Sequence, residues 1–204
     1  MNPGTRRQTV DGPAGPLACA IDEPTAAPAG VAVLCHPHPQ HGGTMDNKVV
    51  QTLARAAVQA GLRAVRFNFR GVGDSRGEWD GGRGEIDDAL AVIDAFRAPG
   101  RPLLLGGFSF GGYVATQAAA RLAPTSPADR LVLIAPAASR FDLAQVPPDT
   151  LVVHGEADDI VPLASVLAWA RPQALPVVVV PGAGHFFHGQ LTLLKQIVTR
   201  SLRP

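Results

Sequence analysis

The chain has 204 residues, about the length of one domain, so we expect a single domain over residues 1–204. It carries 18 Lys and Arg against 17 Asp and Glu, and this balance disfavours binding to nucleic acid or to an anionic membrane surface. The longest aliphatic run, Val177–Val180, is far shorter than the ~20 residues of a membrane helix.

The first residues and the cysteines favour a cytoplasmic protein. The N-terminal segment lacks the apolar stretch of a secretory signal peptide. Cys19 and Cys35 are too few for a disulfide scaffold and lack the CxxC spacing of zinc or redox sites. We expect both to be buried, reduced thiols, with a reactive cysteine as the alternative.

Short β-branched strands alternate with longer amphipathic helices along the chain. Before residue 30, the segments RQTV and PLACAI flank a Gly/Pro turn and predict an antiparallel hairpin at one sheet edge. The later strands are predicted at residues 31–35, 62–69, 102–106, 131–136, 151–155 and 176–180. The helices are predicted at residues 46–60, 85–97, 113–123 and 164–170, with a last one from Leu191 through Val198.

These strands are continuous apolar runs, as expected of strands buried on both faces of a parallel sheet. The fold class is therefore α/β, with a doubly wound, mostly parallel sheet and helices on both faces. At the first helix, Asp46 is predicted to cap the start and Gly61 to adopt the left-handed conformation at the end.

The pattern G-x-S-x-G occurs twice, around Ser109 in GFSFG and around Ser75 in GDSRG. A nucleophile elbow needs a strand, a sharp turn with tiny neighbours and then a helix. Ser109 has all three, whereas glycines follow Ser75 and disfavour a helix there. We therefore predict Ser109 as the nucleophile and Ser75 as part of a loop bordering the cleft. The alternative for GFSFG is a turn that only packs a helix on the sheet.

A serine nucleophile needs a base, and the base needs an orienting acid. Asp158 and Asp159 follow the strand at 151–155, and His185 follows the strand at 176–180. Both positions lie at the carboxyl ends of strands, where parallel sheets present their ligands. The alternatives are Asp142 for the acid and His188 or His154 for the base, and His154 more naturally holds backbone. Asp158 could also merely cap the following helix.

The chain resembles small bacterial hydrolases of the α/β-hydrolase superfamily, grouped near dienelactone hydrolases and carboxylesterases. The resemblance covers roughly residues 30 to 190. The segments that carry it are residues 36–50, 66–77, 107–112, 154–162 and 182–185. In the family's HGxxDxxVP phrase the triad acid falls on Asp158, so the resemblance implies a triad of Ser109, Asp158 and His185.

The loop after residues 31–35 holds His36, His38 and His41. In α/β-hydrolases this loop donates one backbone N–H to the oxyanion hole. Pro37 and Pro39 have no N–H, so His38 is the expected donor, with the N–H of Phe110 as the second. Three histidines also suggest a metal site, but their spacing matches no standard zinc signature. We expect no metal and no cofactor.

Only about fourteen residues separate the strands ending near 136 and opening near 151, which leaves no room for a helical lid. An open, shallow cleft favours small or short-acyl substrates. The expected function is a cofactor-independent serine hydrolase, a carboxylesterase that acts on small-molecule esters through an acyl-enzyme. A peptidase or thioesterase with the same triad and a non-catalytic binding module are the alternatives.

Overall fold

A computed structural model describes residues 4–202, and its centre is an eight-stranded sheet of order β1-β2-β4-β3-β5-β6-β7-β8. The strands are β1 Arg6–Val10, β2 Leu17–Asp22, β3 Val31–Cys35, β4 Arg63–Phe67, β5 Leu103–Phe108, β6 Arg130–Ile134, β7 Leu151–Gly155 and β8 Val177–Val180. Strand β2 pairs antiparallel with β1 and with β4, and the remaining pairs are parallel. The predicted hairpin and the mostly parallel sheet are confirmed.

Helices cover both faces of this sheet. They are α1 Lys48–Gln59, α2 Arg83–Phe96, α3 Phe110–Leu122, α4 Leu163–Ala170 and α5 Leu191–Ser201. Side chains alternate along a strand, so in β3 the residues Val31, Val33 and Cys35 pack in the core beneath α2, α3 and α4. Ala32 and Leu34 pack in the opposite core, beneath α1 and α5. This is the doubly wound arrangement of an α/β-hydrolase fold.

The residue that caps the start of α1 lies one position after the predicted one. Asn47, not Asp46, caps the helix, and its Oδ1 accepts the N–H groups of Val49 at 2.9 Å and Val50 at 3.5 Å. The Asp46 carboxylate is instead paired with Arg7 and Arg66. Gly61 has φ +83° just after the helix, so the predicted left-handed end is confirmed.

Strand β8 corrects the expectation that every strand is buried on both faces. Val178 and Val179 are 38% and 37% exposed. The reason is position: β8 is the last strand in the sheet order and pairs with β7 only, within the described chain. An edge strand gains less cover from the helices than a central strand does.

The connection from β6 to β7, residues 135–150, contains neither helix nor strand. The described chain therefore has no helical lid at this point, as the length of the segment predicted. Across residues 4–202, no helix is both long enough and apolar enough to cross a membrane.

Both cysteines are free and buried. Burial raises the pKa of the Cys19 thiol to about 12 and that of Cys35 further still. A thiol must ionise to act as a nucleophile or a metal ligand. Both cysteines are therefore packing residues in the core, as expected, and a reactive cysteine is disfavoured.

Candidate active site

Ser109 stands in the sharp turn between β5 and α3. Its backbone has φ 56° and ψ −117°, a region that non-glycine residues rarely adopt. A Cβ atom on Gly107 would lie 2.0 Å from the carbonyl oxygen of Gly111, and one on Gly111 would lie 2.2 Å from that of Cys35. The strand–turn–helix context predicted for Ser109 is therefore present, and only glycine fits at these two neighbours.

The structure brings Ser109, His185 and Asp158 together in one hydrogen-bonded chain. The Oγ of Ser109 lies 3.0 Å from Nε2 of His185. The Nδ1 of His185 lies 2.7 Å from Oδ2 of Asp158. The three residues follow β5, β8 and β7, and all three are buried, with exposures of 8%, 4% and 7%.

The loop after β7 fixes the Asp158 carboxylate. Its Oδ1 accepts the backbone N–H groups of Ile160 at 3.0 Å and Val161 at 2.8 Å. Burial acts to raise the pKa of Asp158, but the hydrogen bonds from His185 and from the N–H of Val161 outweigh it, and the pKa is lowered. The carboxylate is ionised at neutral pH and orients the His185 ring.

His154, the histidine of β7, supports the same loop. Its Nε2 lies 2.9 Å from the carbonyl oxygen of Val161, so this nitrogen carries the proton and donates to that oxygen. The same nitrogen is 3.4 Å from Oδ2 of Asp158. Burial lowers the pKa of His154. The ring is therefore neutral and holds backbone, as the sequence indicated, and does not act as the base.

Asp142, Asp159 and His188, the further carboxylates and histidine near the predicted triad positions, are all exposed. The backbone carbonyl of Asp142 accepts from Nε2 of Gln117 at 2.8 Å. The ring centroid of His188 lies 5.8 Å from that of Phe186. Asp158 and His185 are instead buried and hydrogen-bonded to each other, so the structure favours them as acid and base.

The prediction placed Ser75 in a loop bordering the cleft, and Trp79 of that loop does pack against His38, but the Ser75 side chain itself has a structural role. Ser75 is 5% exposed. Its hydroxyl donates to the carbonyl of Asn68 at 2.7 Å and accepts the N–H of Ala18 at 2.9 Å. The residue fastens the glycine-rich loop after β4 to the start of β2, because two buried backbone groups need a partner there.

The histidine-proline loop after β3 buries His36, whereas His38 and His41 both line the cavity next to Ser109. The buried ring of His36 donates from Nδ1 to the carbonyl of Pro37 at 2.6 Å and accepts the N–H of Phe69 on Nε2 at 3.1 Å. The His38 ring packs against two aromatic side chains, with its centroid 4.6 Å from that of Trp79 and 5.2 Å from that of Phe110. Both nitrogens of His36 are engaged, so this ring is no metal ligand.

Across residues 4–202 there is no group of three His, Cys, Asp or Glu side chains that could hold a metal ion. The residues predicted for the oxyanion hole, His38 and Phe110, both line the cavity that contains Ser109. Phe110 is the first residue of α3, so its N–H has no acceptor within the helix. Its position at the positive end of the helix suits a negatively charged oxygen.

A cavity of about 350 Å³ opens in front of Ser109 and His185. Its apolar wall is made by Phe110, Ala137, Phe141, Ile160, Val161 and Phe186, and its polar side chains include His38, His41, Asn47 and Arg140. None of the described residues lining it has a carboxylate. Ile160 and Phe186 are 41% and 39% exposed and form an apolar rim.

Sequence reasoning missed Arg140, Phe141, Phe186 and Trp79 as parts of this site. Phe141 stacks on Tyr113 with ring centroids 4.8 Å apart. Their positions in the sequence could have indicated three of these residues. Arg140 and Phe141 come shortly after the carboxyl end of β6, and Phe186 directly follows His185. Trp79 lies in a long loop and gave no comparable signal.

Comparison with known proteins agrees with this architecture. Residues 26–145 match the family model described as serine aminopeptidase, S33. A lidless α/β serine hydrolase from Xanthomonas campestris is 41% identical, with a TM-score of 0.90 over 100% of this chain and 95% of that one. An α/β serine hydrolase homologue from Coxiella burnetii is 38% identical, with a TM-score of 0.83 over 97% of each chain.

Among curated proteins, an uncharacterised protein of Rickettsia prowazekii is 32% identical over 193 residues, which cover 87% of this chain and 80% of that protein. The family model spans more than half of the chain, and the three relatives cover most of it. The chain belongs to the S33 serine aminopeptidase family and is a lidless α/β-hydrolase of the serine hydrolase class.

Proposed function

We propose that the protein hydrolyses carboxylic esters with small acyl groups, through an acyl-enzyme formed on Ser109. The observation that carries this proposal is the buried chain of hydrogen bonds from Ser109 to His185 at 3.0 Å and from His185 to Asp158 at 2.7 Å. A serine hydroxyl is a weak nucleophile near neutral pH, and a positioned base with an orienting carboxylate is what activates it.

In the first half of the reaction, Oγ of Ser109 attacks the carbonyl carbon of the ester and its proton passes to Nε2 of His185. The tetrahedral oxyanion accepts hydrogen bonds from the backbone N–H groups of His38 and Phe110. The bond from carbon to the leaving oxygen then breaks. The alcohol departs with the proton from His185, leaving the acyl group on Ser109.

In the second half, a water molecule gives a proton to His185 and its oxygen attacks the acyl carbon. Collapse of this second tetrahedral intermediate releases the carboxylic acid and returns the proton to Ser109. Asp158 stays ionised throughout and stabilises the charged form of His185. The lowered pKa of Asp158 supports that role.

The lining of the cavity favours an ester over an aminopeptidase substrate, although the family is described by aminopeptidase activity. An aminopeptidase must hold a free α-ammonium group next to the scissile bond, and a desolvated ammonium needs an anionic partner. The described lining residues include no Asp or Glu and one Arg, Arg140. A volume of about 350 Å³ suits a small substrate.

The experiment compares three substrate classes on the purified protein: p-nitrophenyl esters from acetate to dodecanoate, matched acyl thioesters, and aminoacyl p-nitroanilides. We expect the highest kcat/KM with short-chain esters. Ser109→Ala should abolish this activity and the covalent labelling by a fluorophosphonate probe. Faster cleavage of the aminoacyl anilides or of the thioesters overturns the ester proposal. Activity or labelling that survives in Ser109→Ala overturns the assignment of the nucleophile.

A further inference from the structure

Arg140 is a cation at the cavity with no partner of its own. The side chain is exposed, and within residues 4–202 its guanidinium makes no ion pair and no hydrogen bond to a side chain. Asp142, two residues further along the chain, is also exposed and forms no ion pair with Arg140. Arginine carries its charge at every accessible pH, so the cavity has a fixed positive charge and no negative one in its described lining.

The backbone ties Arg140 to the nucleophile. The N–H of Ala137 donates to the carbonyl oxygen of Ser109 at 3.2 Å. The N–H groups of Arg140 and Phe141 both donate to the carbonyl oxygen of Ala137 at 3.1 Å. The tight turn that carries Arg140 is therefore fixed relative to Ser109, and both residues line the same cavity.

The cavity has two chemically different ends. Around His185 the lining is apolar, with Ile160, Val161 and Phe186, whose ring centroid lies 5.1 Å from that of His185. The other end holds His38, whose ring centroid lies 4.6 Å from that of His41 and 6.0 Å from that of Phe141.

Arg140 belongs to the end that holds His38, because it lines the same cavity and directly precedes Phe141, whose ring centroid lies 6.0 Å from that of His38. Burial, followed by the charges of His41 and Arg140, lowers the pKa of His38. The charge of Arg140 therefore acts on this end of the cavity.

The proposed mechanism decides which part of the substrate occupies each end. His185 protonates the leaving group, so the leaving group lies at the apolar end. The acyl chain then extends from the oxyanion donors of His38 and Phe110 towards Phe141 and Arg140.

We propose that Arg140 binds a carboxylate at the far end of the acyl group, so that the preferred substrates are half-esters of short dicarboxylic acids. This inference rests on the proposed esterase function. The guanidinium fork matches a carboxylate with two parallel hydrogen bonds. Phe110 and Phe141, whose ring centroids lie 5.2 Å apart, line the same cavity as Arg140 and Ser109 and offer an apolar surface for the methylene groups that separate the two ends of such an acyl group.

The test uses two probes that differ in one charge, mono-p-nitrophenyl adipate and its methyl ester. The measured quantity is the ratio of kcat/KM for the anionic probe to that for the neutral probe. We expect the wild-type ratio to exceed one and Arg140→Met to lower it about tenfold, a size that reflects partial exposure to solvent. Arg140→Lys should retain most of the preference and Arg140→Glu should lower the ratio below that of Arg140→Met.

The control variant is Arg101→Met. Arg101 is also exposed, but it lies just before β5, at the amino end of the strands and away from the cavity. It changes the net charge as Arg140→Met does, and we expect its ratio to equal that of the wild type. An equal fall in both arginine variants would mean that long-range charge causes the preference, which overturns the proposed site.

Two further results separate this inference from the proposed function. Turnover of both probes with a ratio near one in the wild type contradicts the carboxylate site and leaves the esterase function standing. Turnover of neither probe contradicts the esterase function itself. A preference that appears only when the carboxylate is moved to the leaving group, as in p-carboxyphenyl hexanoate compared with phenyl hexanoate, reverses the assignment of the two ends and overturns the proposal.

Discussion

At the scale of single residues, the two candidate acids differ in what they contact. Asp158 holds Nδ1 of His185 at 2.7 Å, whereas the Asp142 side chain is exposed. We expect Asp158→Asn to lower kcat for a short-chain p-nitrophenyl ester by up to ~10⁴, because an amide does not stabilise the charged histidine or its reactive tautomer. Asp142→Asn should change kcat less than about threefold.

Circular dichroism of both Asn variants checks that each is folded before the rates are compared. A larger loss in Asp142→Asn than in Asp158→Asn would move the acid to the segment after β6. It would also show that the buried contact with His185 serves stability alone.

Ser75 supports a second prediction, in which a substitution lowers stability but leaves the reactive serine intact. Its hydroxyl satisfies two buried backbone groups, the N–H of Ala18 and the carbonyl of Asn68. Ser75→Ala leaves both without that partner, so we expect the free energy of unfolding to fall by about 1–3 kcal/mol. Urea denaturation measures this change. Fluorophosphonate labelling of the folded variant should persist, and its loss would make Ser75 part of the reaction.

The residues that could be predicted are those whose constraint is local. Gly107 marks the turn at Ser109 because the atoms that crowd it belong to Gly111 and Gly112, close by in the sequence, whereas Gly111 is crowded by Cys35, far away in the sequence. Ser75 has the same local pattern, and only the distant Ala18 reveals its structural role. The place of Arg140 at the site likewise could not be predicted locally, because it depends on Ser109, thirty-one positions away in the sequence, through the hydrogen bond from Ala137 to Ser109.

At the scale of helices and strands, the predicted order was correct because hydrophobic periodicity is a local property. The bounds differ where tertiary packing decides them. Helix α3 begins at Phe110 rather than at 113, since its first turn packs against β3 and the glycines there are buried. The exposure of β8 was not predictable from its four valines, because the sheet order makes it an edge.

The loop after β3 supports a prediction that distinguishes the contribution of the His38 backbone to activity from that of its side chain. If its N–H stabilises the oxyanion, His38→Ala should keep activity within about tenfold of the wild type, the loss reflecting the ring that packs on Trp79. His38→Pro removes the N–H and should lower kcat by about 10²–10³. Steady-state rates with a short-chain ester measure both effects.

Proline also restricts the residue before it, and here that residue is Pro37, which lies at a bend in the loop. Thermal unfolding of both variants checks that the loop change has not unfolded the protein. Equal inactivity of two folded variants would assign the chemistry to the imidazole ring. Bound zinc in the wild-type protein, measured by elemental analysis, would then support a metal at this loop.

At the scale of the whole molecule, the site depends on the sheet. Ser109, Asp158 and His185 are separated by tens of residues, and they meet because β5, β7 and β8 are parallel and end at the same edge. The chain order of the three could therefore be predicted, while the cavity wall, made by four separate loops and the turn at Ser109, could not. The single domain and the cytoplasmic location stay predictions.

The sensitivity of the fold to acid follows from His36, which links the ends of β3 and β4. Its neutral ring donates to Pro37 and accepts from the N–H of Phe69. Protonation would turn the second nitrogen into a donor that faces another donor. Burial, only partly offset by the bond to Pro37, lowers the pKa of His36 to about 4.

Because a histidine in the unfolded chain has a pKa of about 6.5, the unfolded state takes up the proton on His36 first as the pH falls. The stability that neutral His36 contributes is present above about pH 6.5 and is lost progressively down to about pH 4. Between pH 7 and pH 5 the loss amounts to roughly 2 kcal/mol of the free energy of unfolding. The carboxyls with lowered pKa, Asp46, Asp80 and Asp158, titrate mainly below this window.

Urea denaturation at pH 7 and pH 5 measures the loss, and two variants identify its source. His36→Gln removes the titrating group while its amide oxygen can still accept from Phe69, so the difference between the two pH values should shrink by about 2 kcal/mol. His188→Gln, at an exposed histidine, should leave the difference as in the wild type. His154 and His38, whose pKa values burial also lowers, remain in both variants and contribute to the residual slope. An unchanged difference in His36→Gln would show that the buried ring of His36 is already protonated, or that other groups control the acid response.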